Sequence, residues 1–506
     1  MAASGSWRGF AAGGGAGGGG GGGGPGARRP GGPPGGGASF GRFSAPRPGA
    51  PGLGPGGWGR KAPGRRGEAQ AARAGWFGGA VNGGFAAQGA GAAPYGPVKW
   101  LWNLGKVPPP RQGQKRVVIL MSDTGGGHRA SAQALQATFE ELYGAEFEVT
   151  IVDLWSNNSP WPVNQMPKGY STMVKYPWMW RASFRFLWPS WVHEPTFFMY
   201  HKLLGRLMAQ ALLDLQPDLV VSVHPLMQHI PLKVMRNLQR SGKMKKVPFA
   251  TVVTDFTTCH STWFHRKVDR CYVATEEAKE LALTRGLKES QLVVYGLPIR
   301  PVFSQTYSKA KLRSKLKMDP AKPAVLVCSG GEGMGPVEET IQSIGRELGG
   351  KVQVVVICGR NKRLAERLAA AQFPMKLIVN GFVRNMHEWM YACDSIVTKA
   401  GPGTIAESLI CGLPLVLNAF VPCQEEGNIP YVVNNRVGDF TKDPAEVGRI
   451  LSRWLDDKKA FSEMAKRAKA LGAPKATFNI VKDLAQLCIE AYKPARKSRR
   501  ALATLY

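Results

Sequence analysis

The chain has 506 residues, of which 44% are hydrophobic and 20% are charged, and its formal net charge is +31. A single hydrophobic core stops growing at about 250 to 300 residues, so this length predicts more than one domain. No run of about 18 consecutive apolar residues occurs, which excludes an ordinary membrane-spanning helix. The positive charge favours anionic partners, which include nucleic acid, anionic membranes and acidic small molecules.

Residues 1–112 differ from the rest of the chain in composition. Gly, Ala, Pro and Arg dominate, residues 17–24 are all glycine, and Glu68 is the one acidic residue. Such a segment buries too little apolar surface to offset its ordering entropy, which predicts disorder. An acid-poor, arginine-rich N-terminus is typical of an organelle transit peptide. An RNA-binding Gly/Arg tail and a plain linker are the alternatives, and the lack of regular Arg-Gly repeats favours the transit peptide.

The cysteines favour a reducing compartment. The sequence has eight of them without a Cys-x-x-Cys pair, and most lie in apolar runs, so we predict reduced core residues rather than disulfides or a zinc site.

Strands and helices alternate from residue 116 onward. The apolar run 116–121 is typical of a buried parallel strand, and a glycine loop at 123–129 follows it. Further strands are predicted at 149–154, 219–223, 249–253, 268–274 and 292–295, and helices at 130–143, 204–215, 232–240 and 275–285. This alternation predicts a doubly wound parallel sheet, in which ligands bind beyond the carboxyl ends of the strands. We assign residues 113–298 to an N-terminal Rossmann-like domain.

An aromatic insertion at 155–201 interrupts that alternation. It contains six tryptophans, several Phe and Tyr, and interspersed Lys and Arg. Aromatic rings next to cations favour the headgroup layer of a bilayer, so we predict a membrane-facing insertion. Filling the core of an irregular insertion is the alternative.

The alternation starts again after a hinge predicted at residues 297–300. Strands are predicted at 324–328, 352–358 and 375–379, with a glycine loop at 329–335 and helices at 336–348, 364–371 and 386–391. We assign 299–480 to a second Rossmann-like domain and 481–506 to a C-terminal helix and basic tail.

A turn between a strand and a helix stands out in the second domain. It consists of Gly401, Pro402, Gly403 and Thr404. A strand end, a small-residue turn and a helix start aim unpaired backbone N–H groups and the positive helix end at one point, which favours an anionic pyrophosphate. Glycines that serve packing alone are the alternative.

Polar side chains follow this turn. Glu407, one turn into the helix, is suited to a ribose diol. Gln424, Glu425 and Asn428, beyond the next predicted strand, supply acceptors for sugar hydroxyls. The turn and these side chains together predict a sugar-nucleotide site.

Five motifs in order resemble the monogalactosyldiacylglycerol synthase family, which belongs to glycosyltransferase family 28. The likeness extends from residue 116 to the C-terminus. The motifs are DTGGGHR at 123–129, SVHPLMQH at 222–229, VTDFTTCH followed by TWFH at 253–265, GGEGMG at 330–335 and TKAGPGT at 398–404.

The resemblance implies a GT-B fold, with two doubly wound Rossmann-like domains facing a cleft. It implies an inverting transfer of galactose from UDP-galactose to the sn-3 hydroxyl of 1,2-diacylglycerol, without a metal or cofactor. Phosphatidylglycerol or phosphatidic acid are the implied activators. The implied location is the plastid envelope, with the protein peripheral or monotopic on an anionic membrane. A homodimer is left open, and no nucleic-acid partner is expected.

The resemblance also implies roles for particular residues. His128 is the implied base, and its near-neutral intrinsic pKa suits that task. Phe382 and Val383 would contact the uracil. The glycines implied in donor binding are Gly126, Gly127, Gly330, Gly331 and Gly333. The positions implied in lipid or activator binding are Pro162, Arg236 and Trp263.

The sequence departs from the family pattern at Ser329, where we expect a glycine, and at Cys423 and Glu426, which flank the pair suited to galactose. These departures bear on the identity of the sugar and not on the class of reaction. Two alternatives to the assignment as a whole stay open. One is a related GT-B transferase that uses UDP-glucose or UDP-N-acetylglucosamine. The other is a non-catalytic basic protein that binds lipid or nucleic acid, which leaves His128 and Glu425 without a purpose.

Overall fold

The structure is a computed structural model, and it describes residues 113–122, 126–155, 165, 169–170, 172–173, 176–328, 330–331 and 335–491. The predicted transit peptide, the basic tail, Pro162, Ser329 and Gly333 lie outside the described residues.

The first half of the described chain forms a six-stranded parallel sheet. Its strands are β1 (Lys115–Met121), β2 (Phe147–Asp153), β3 (Leu219–Ser222), β4 (Phe249–Val252), β5 (Arg270–Val273) and β6 (Leu292–Val294). The spatial order is β2-β1-β3-β4-β5-β6. Alternate residues of β1 enter two different cores: Val118 and Leu120 pack on one face, and Val117 and Ile119 on the other. Burial on both faces explains why this strand is a continuous apolar run.

The second half forms a second six-stranded parallel sheet. Its strands are β7 (Ala324–Cys328), β8 (Gln353–Ile357), β9 (Lys376–Asn380), β10 (Ser395–Lys399), β11 (Leu415–Ala419) and β12 (Gly438–Phe440). The spatial order is β12-β11-β10-β7-β8-β9, which is the order of a dinucleotide-binding Rossmann fold. The predicted fold class, α/β with two doubly wound Rossmann-like sheets, is confirmed.

Helices cover the faces of both sheets. Those of the first half are α1 (Gly126–Tyr143), α2 (Pro177–Phe186), α3 (Ser190–Leu215), α4 (His229–Arg240) and α5 (Glu276–Thr284). The second half contributes α6 (Lys309–Lys315), α7 (Val337–Leu348), α8 (Lys362–Ala370), α9 (Met386–Ala392), α10 (Pro402–Cys411), α11 (Asn428–Asn434), α12 (Pro444–Asp456), α13 (Lys458–Leu471) and α14 (Ala476–Glu490).

The last helix returns to the first sheet. Ile480, Val481 and Leu484 of α14 are fully buried in the same core as Val117 and Val221. The chain therefore crosses between the two sheets twice. At the crossings, the Ile299 N–H donates to Thr477 Oγ1 at 2.8 Å, and the Thr477 hydroxyl donates to the Ile299 carbonyl at 2.6 Å.

The elements agree with the sequence predictions over most of their length, with three differences. Helix α2 and the start of α3 at Ser190 make the described part of the aromatic insertion largely helical, where no regular structure was predicted. Helix α1 begins at Gly126, which places the predicted glycine pair in its first turn. The short α6, α11 and β12 had no predicted counterpart, since each offers too few residues to show a period.

The cysteines agree with the prediction of free thiols. All eight are unpaired, and six of them are buried. No helix in the described part of the chain is long and apolar enough to cross a bilayer.

Candidate active site

The predicted site residues gather where the strand order of each sheet reverses. In the first sheet β1 and β3 are neighbours, and in the second β7 and β10 are neighbours. Parallel sheets bind ligands at the crevice that such a reversal opens beyond the carboxyl ends of the strands. His128 follows β1 and His224 follows β3, while Gly330 follows β7 and Gly401 follows β10.

His128 is held by hydrogen bonds on one ring nitrogen. Its Nδ1 lies 3.0 Å from the Val223 carbonyl oxygen and 2.7 Å from Thr254 Oγ1. A carbonyl only accepts, so Nδ1 carries the hydrogen and the lone pair falls on Nε2. Nε2 has no hydrogen-bond partner among the residues that the structure describes. The half-buried ring therefore presents a proton acceptor from the first turn of α1.

The imidazoles near this point are uncharged. Burial lowers the pKa of His128 to about 4, although the hydrogen bond to the Val223 carbonyl opposes that shift. The neighbouring His224 ring lies 4.5 Å away, and burial, followed by the proximity of the titratable His128 ring, holds the pKa of His224 well below the ordinary value. Burial thus moves the pKa of His128 below its near-neutral intrinsic value, and the ring is neutral at physiological pH.

The two glycine turns of the second sheet lie side by side. Gly330 has φ +76°, and a Cβ added to it would lie 3.5 Å from Lys399 Cε. A Cβ on Gly401 would lie 3.1 Å from Lys399 Nζ. Lys399 thus stands between both turns. It is the last residue of β10 and forms an ion pair with the buried Glu425. Sequence analysis assigned no role to Lys399, although a lysine directly before Ala-Gly-Pro-Gly was a usable signal.

The start of α10 is open to an anion. Gly401 is its N-cap without a side-chain capping bond, Pro402 occupies the first helical position, and Gly403 has no atom within 4 Å of an added Cβ. The unpaired N–H groups of this turn and the helix dipole favour negative charge. Thr404 is half-buried in the same turn.

Glu407 has a partner that the sequence did not indicate. Its Oε1 accepts a hydrogen bond from an Arg300 guanidinium nitrogen at 3.1 Å. Burial raises the pKa of Glu407, and the Arg300 charge opposes that rise. Arg300 therefore fixes the carboxylate predicted to face a ribose.

Phe382 and Val383 follow β9, next to the Gly330 turn. Phe382 is 62% exposed, and the Arg360 guanidinium lies 5.8 Å from the centre of its ring. The Arg360 backbone N–H donates to the Gly331 carbonyl at 2.8 Å. The predicted uracil and phosphate positions are therefore adjacent at this edge of the sheet.

The polar residues after β11 contact the first domain. The Gln424 Oε1 accepts from the Tyr170 hydroxyl at 3.1 Å, and Gln424 Nε2 donates to Asp255 Oδ1 at 3.4 Å. Asn428 Oδ1 accepts from the Thr257 hydroxyl at 2.8 Å. These contacts close the cleft at the end where the sugar is expected. Asp255 lies in the VTDFTTCH motif, and no separate role for it was predicted from the sequence.

The predicted lipid-binding residues have different surroundings. Trp263 has 0% exposure, and its Nε1 donates to Asp255 Oδ2 at 2.6 Å. Arg236 is partly exposed and pairs with Asp269 at 3.2 Å. The structure thus places Trp263 beside the cleft residues, without a surface for a lipid in this conformation.

The described residues contain no group of three or more His, Cys, Asp or Glu side chains placed to hold a metal ion. The positive charges at the candidate donor site come from Lys399, Arg300 and Arg360 instead.

Comparison with known proteins agrees with the motifs. Residues 128–299 match the monogalactosyldiacylglycerol (MGDG) synthase family, and residues 324–432 match the C-terminal domain of glycosyltransferase family 28. The chain is 46% identical over 381 residues to a probable monogalactosyldiacylglycerol synthase, chloroplastic, of Nicotiana tabacum, with 74% of this chain and 71% of the relative covered. The identity is also 46% to monogalactosyldiacylglycerol synthase 3, chloroplastic, of Arabidopsis thaliana, with 74% and 81% covered.

Solved structures match more distantly. Acinetobacter baumannii MurG aligns with a TM-score of 0.48 at 14% identity, over 73% of this chain and 99% of that one. The calicheamicin glycosyltransferase CalG4 aligns with a TM-score of 0.46 at 13% identity, over 75% and 100%.

The sheets and the open turns between them define a two-domain glycosyltransferase of the GT-B class. The chain belongs to the monogalactosyldiacylglycerol synthase family.

Proposed function

We propose that this protein transfers galactose from UDP-galactose to the sn-3 hydroxyl of 1,2-diacylglycerol, with inversion at the anomeric carbon, at the plastid envelope. Family membership supports the reaction and the compartment, because the relatives are chloroplastic monogalactosyldiacylglycerol synthases by name. The observation that carries the proposal is a neutral imidazole with an open Nε2 on one side of the cleft, together with two glycine turns on the other whose backbone is suited to an anion.

In the proposed reaction His128 acts as general base. Its Nε2 takes the proton of the diacylglycerol hydroxyl while the hydroxyl oxygen bonds to the anomeric carbon of galactose. The bond from that carbon to the UDP oxygen breaks, and its electron pair goes to the diphosphate. The Val223 carbonyl and Thr254 keep the hydrogen on Nδ1, so the imidazole enters each cycle with its lone pair on Nε2.

We place the leaving diphosphate between the Gly330 turn and the start of α10. Backbone N–H groups and the Lys399 ammonium would stabilise its negative charge as the bond breaks. Phe382 and Val383 would contact the uracil, Glu407 the ribose, and the group Gln424, Glu425 and Asn428 the galactose. The first domain would then hold the acceptor and the second the donor.

The membrane contact belongs to α2 and α3 in this proposal. Trp178 is 71% exposed on α2, and Trp191 is 78% exposed on α3. Met199, Leu203 and Leu207 add exposed apolar side chains at helical spacing. A single surface rich in exposed aromatic and apolar side chains suits the interfacial layer of a bilayer.

Cations accompany this apolar surface. The Lys202 and Lys233 ammonium groups lie 5.0 and 4.3 Å from the centre of the Phe198 ring. Such groups favour anionic headgroups, which agrees with activation by phosphatidylglycerol or phosphatidic acid. Arg236 remains the proposed activator contact that lies at the surface.

Labelled UDP-galactose, supplied to the full chain with diacylglycerol in phosphatidylglycerol vesicles, tests the reaction. We expect the monogalactosyl lipid as product. Transfer from UDP-glucose alone would overturn the donor assignment, and transfer from neither sugar nucleotide would overturn the enzyme proposal.

Cosedimentation with the same vesicles tests the membrane surface. The variants Trp178→Ala and Trp191→Ala should bind vesicles more weakly while retaining UDP binding. Leu471→Ala, which removes a partly exposed side chain of α13 in the second domain, is the matched control. Unchanged vesicle binding by both tryptophan variants would contradict the assignment.

A further inference from the structure

The Gln424 carboxamide is held from the opposite domain at both of its ends. The Tyr170 hydroxyl donates to Oε1 at 3.1 Å, and Nε2 donates to Asp255 Oδ1 at 3.4 Å. A hydroxyl that donates and a carboxylate that accepts distinguish the oxygen of an amide from its nitrogen. The orientation of this carboxamide is thus set by two side chains of the first domain.

Asp255 is suited to this task because its other oxygen is already fixed. Asp255 is buried, and Oδ2 accepts from Trp263 Nε1 at 2.6 Å. Burial raises the pKa of Asp255 to about 6, the two hydrogen bonds oppose that rise, and Glu425 adds to it. The carboxyl group is therefore ionised at neutral pH and protonated in mild acid.

Tyr170 faces the same cluster. Burial raises the pKa of Tyr170, and the charges of Glu425 and Asp255 raise it further, so the hydroxyl keeps its hydrogen. Its ring packs edge-on against Trp180 at 5.0 Å between centroids. Trp180 Nε1 in turn donates to the Pro422 carbonyl at 3.0 Å, two residues before Gln424.

The neighbouring carboxylate is fixed from its own domain. Glu425 pairs with Lys399 through one oxygen and accepts from the Val421 backbone N–H at 2.8 Å through the other. Of the pair predicted to contact the sugar, Glu425 is therefore oriented by the second domain and Gln424 by the first.

We propose that Tyr170 and Asp255 are positioning residues that orient the Gln424 carboxamide toward the donor sugar and thereby let the acceptor domain determine which hexose is transferred. The inference rests on the proposed function, in which Gln424 contacts galactose. One hydrogen of Nε2 and one lone pair of Oε1 remain for sugar hydroxyls. Galactose and glucose differ in the direction of one hydroxyl. A carboxamide whose oxygen and nitrogen are held in fixed positions discriminates between these two hydroxyl directions, whereas a carboxamide that can rotate and exchange those positions does not.

The test compares UDP-galactose with UDP-glucose in the full chain. We expect Tyr170→Phe and Asp255→Asn to lower the ratio of kcat/KM for the two donors by roughly tenfold, which is about the contribution of one hydrogen bond to such a choice. The affinity for UDP should stay within about twofold of wild type, because UDP lacks the sugar. Asp255→Glu should restore part of the ratio.

A matched control separates positioning from folding. Asp439 of the edge strand β12 also accepts a tryptophan indole N–H, from Trp454 at 3.2 Å, and β12 is separated from β10 by β11. Asp439→Asn should leave the donor ratio unchanged, and thermal unfolding should show that all variants are folded.

The outcomes are distinguishable. If wild type transfers galactose and both Tyr170→Phe and Asp255→Asn keep its donor ratio, the inference is wrong while the proposed function stands. If wild type transfers only glucose, the donor assignment fails; a gain of galactose transfer in these two variants would then support their positioning role, and continued transfer of glucose alone would contradict it.

Discussion

The two halves of the candidate site use opposite electrostatics. On the first sheet, His128 and His224 are desolvated and neutral. On the second sheet, Lys399, Arg300 and Arg360 surround the glycine turns, and Lys399 and Arg300 pair with Glu425 and Glu407. The difference follows from the two tasks, because a proton acceptor must be uncharged before it acts, whereas a departing diphosphate needs positive charge already in place.

The largest effect is expected from removing the proposed base of the neutral half. His128→Ala should lower kcat for galactose transfer by about 10²- to 10⁴-fold, the usual contribution of a general base. UDP affinity, measured by calorimetry, should not change, because the ring belongs to the other domain. A variant that keeps more than a tenth of wild-type kcat would remove His128 from the mechanism.

The second-largest effect is expected from a substitution in the charged half. Lys399→Met should reduce kcat by roughly 10²- to 10³-fold, since it removes a fixed charge from the leaving group and leaves the buried Glu425 unpaired. Steady-state kinetics with UDP-galactose check this loss. The matched control is Lys466→Met, which breaks an exposed ion pair with Glu463 and should leave kcat unchanged. Equal activity of the two variants would refute the assignment.

The pH dependence distinguishes the halves further. The Asp255 carboxyl group, whose pKa burial raises to about 6, is ionised above that pH and protonated below it. The His128 imidazole, by contrast, stays neutral down to about pH 4. The acid limb of kcat/KM should therefore have a midpoint near the pKa of Asp255, and Asp255→Asn should give a lower and flatter profile. An unaltered midpoint in that variant would assign the limb to another group.

The smallest effect concerns the contact between the domains. A Cβ on Gly427 would lie 1.9 Å from Thr258 Oγ1, so Gly427→Ala should raise the KM for UDP-galactose by roughly fivefold, equivalent to about 1 kcal/mol. Thr258→Ala removes the obstructing oxygen, and the double variant should return toward the wild-type KM. Additive effects of the two substitutions would argue that these residues do not meet in the active form.

Local features of this site could be predicted from the sequence, and long-range partners could not. The turn from Gly401 to Thr404 follows from residue types alone, because a strand end, small residues and a helix start are local signals. The pairing of Arg300 with Glu407 joins residues that are 107 positions apart, and no periodicity encodes it.

The tryptophans also show that surroundings set by distant residues cannot be predicted from the sequence. A cluster of aromatic residues in the sequence predicts an interfacial surface, and Trp178 and Trp191 are exposed. Residue type does not determine burial, however, and Trp263 is fully enclosed against Asp255. Its indole N–H needs an acceptor when buried, and only the fold reveals which carboxylate supplies one.

The return of α14 to the first sheet bears on the order in which the protein can fold during synthesis. Ile480, Val481, Leu484 and Cys488 complete a core whose other members begin at Val117. Helix α1 covers part of this face of the first sheet, and the part that α14 covers stays open to solvent until α14 has been synthesised. The strands and neighbouring helices of the second sheet, from 324 to 471, are all available earlier. We expect the second domain to fold first, although it is synthesised last.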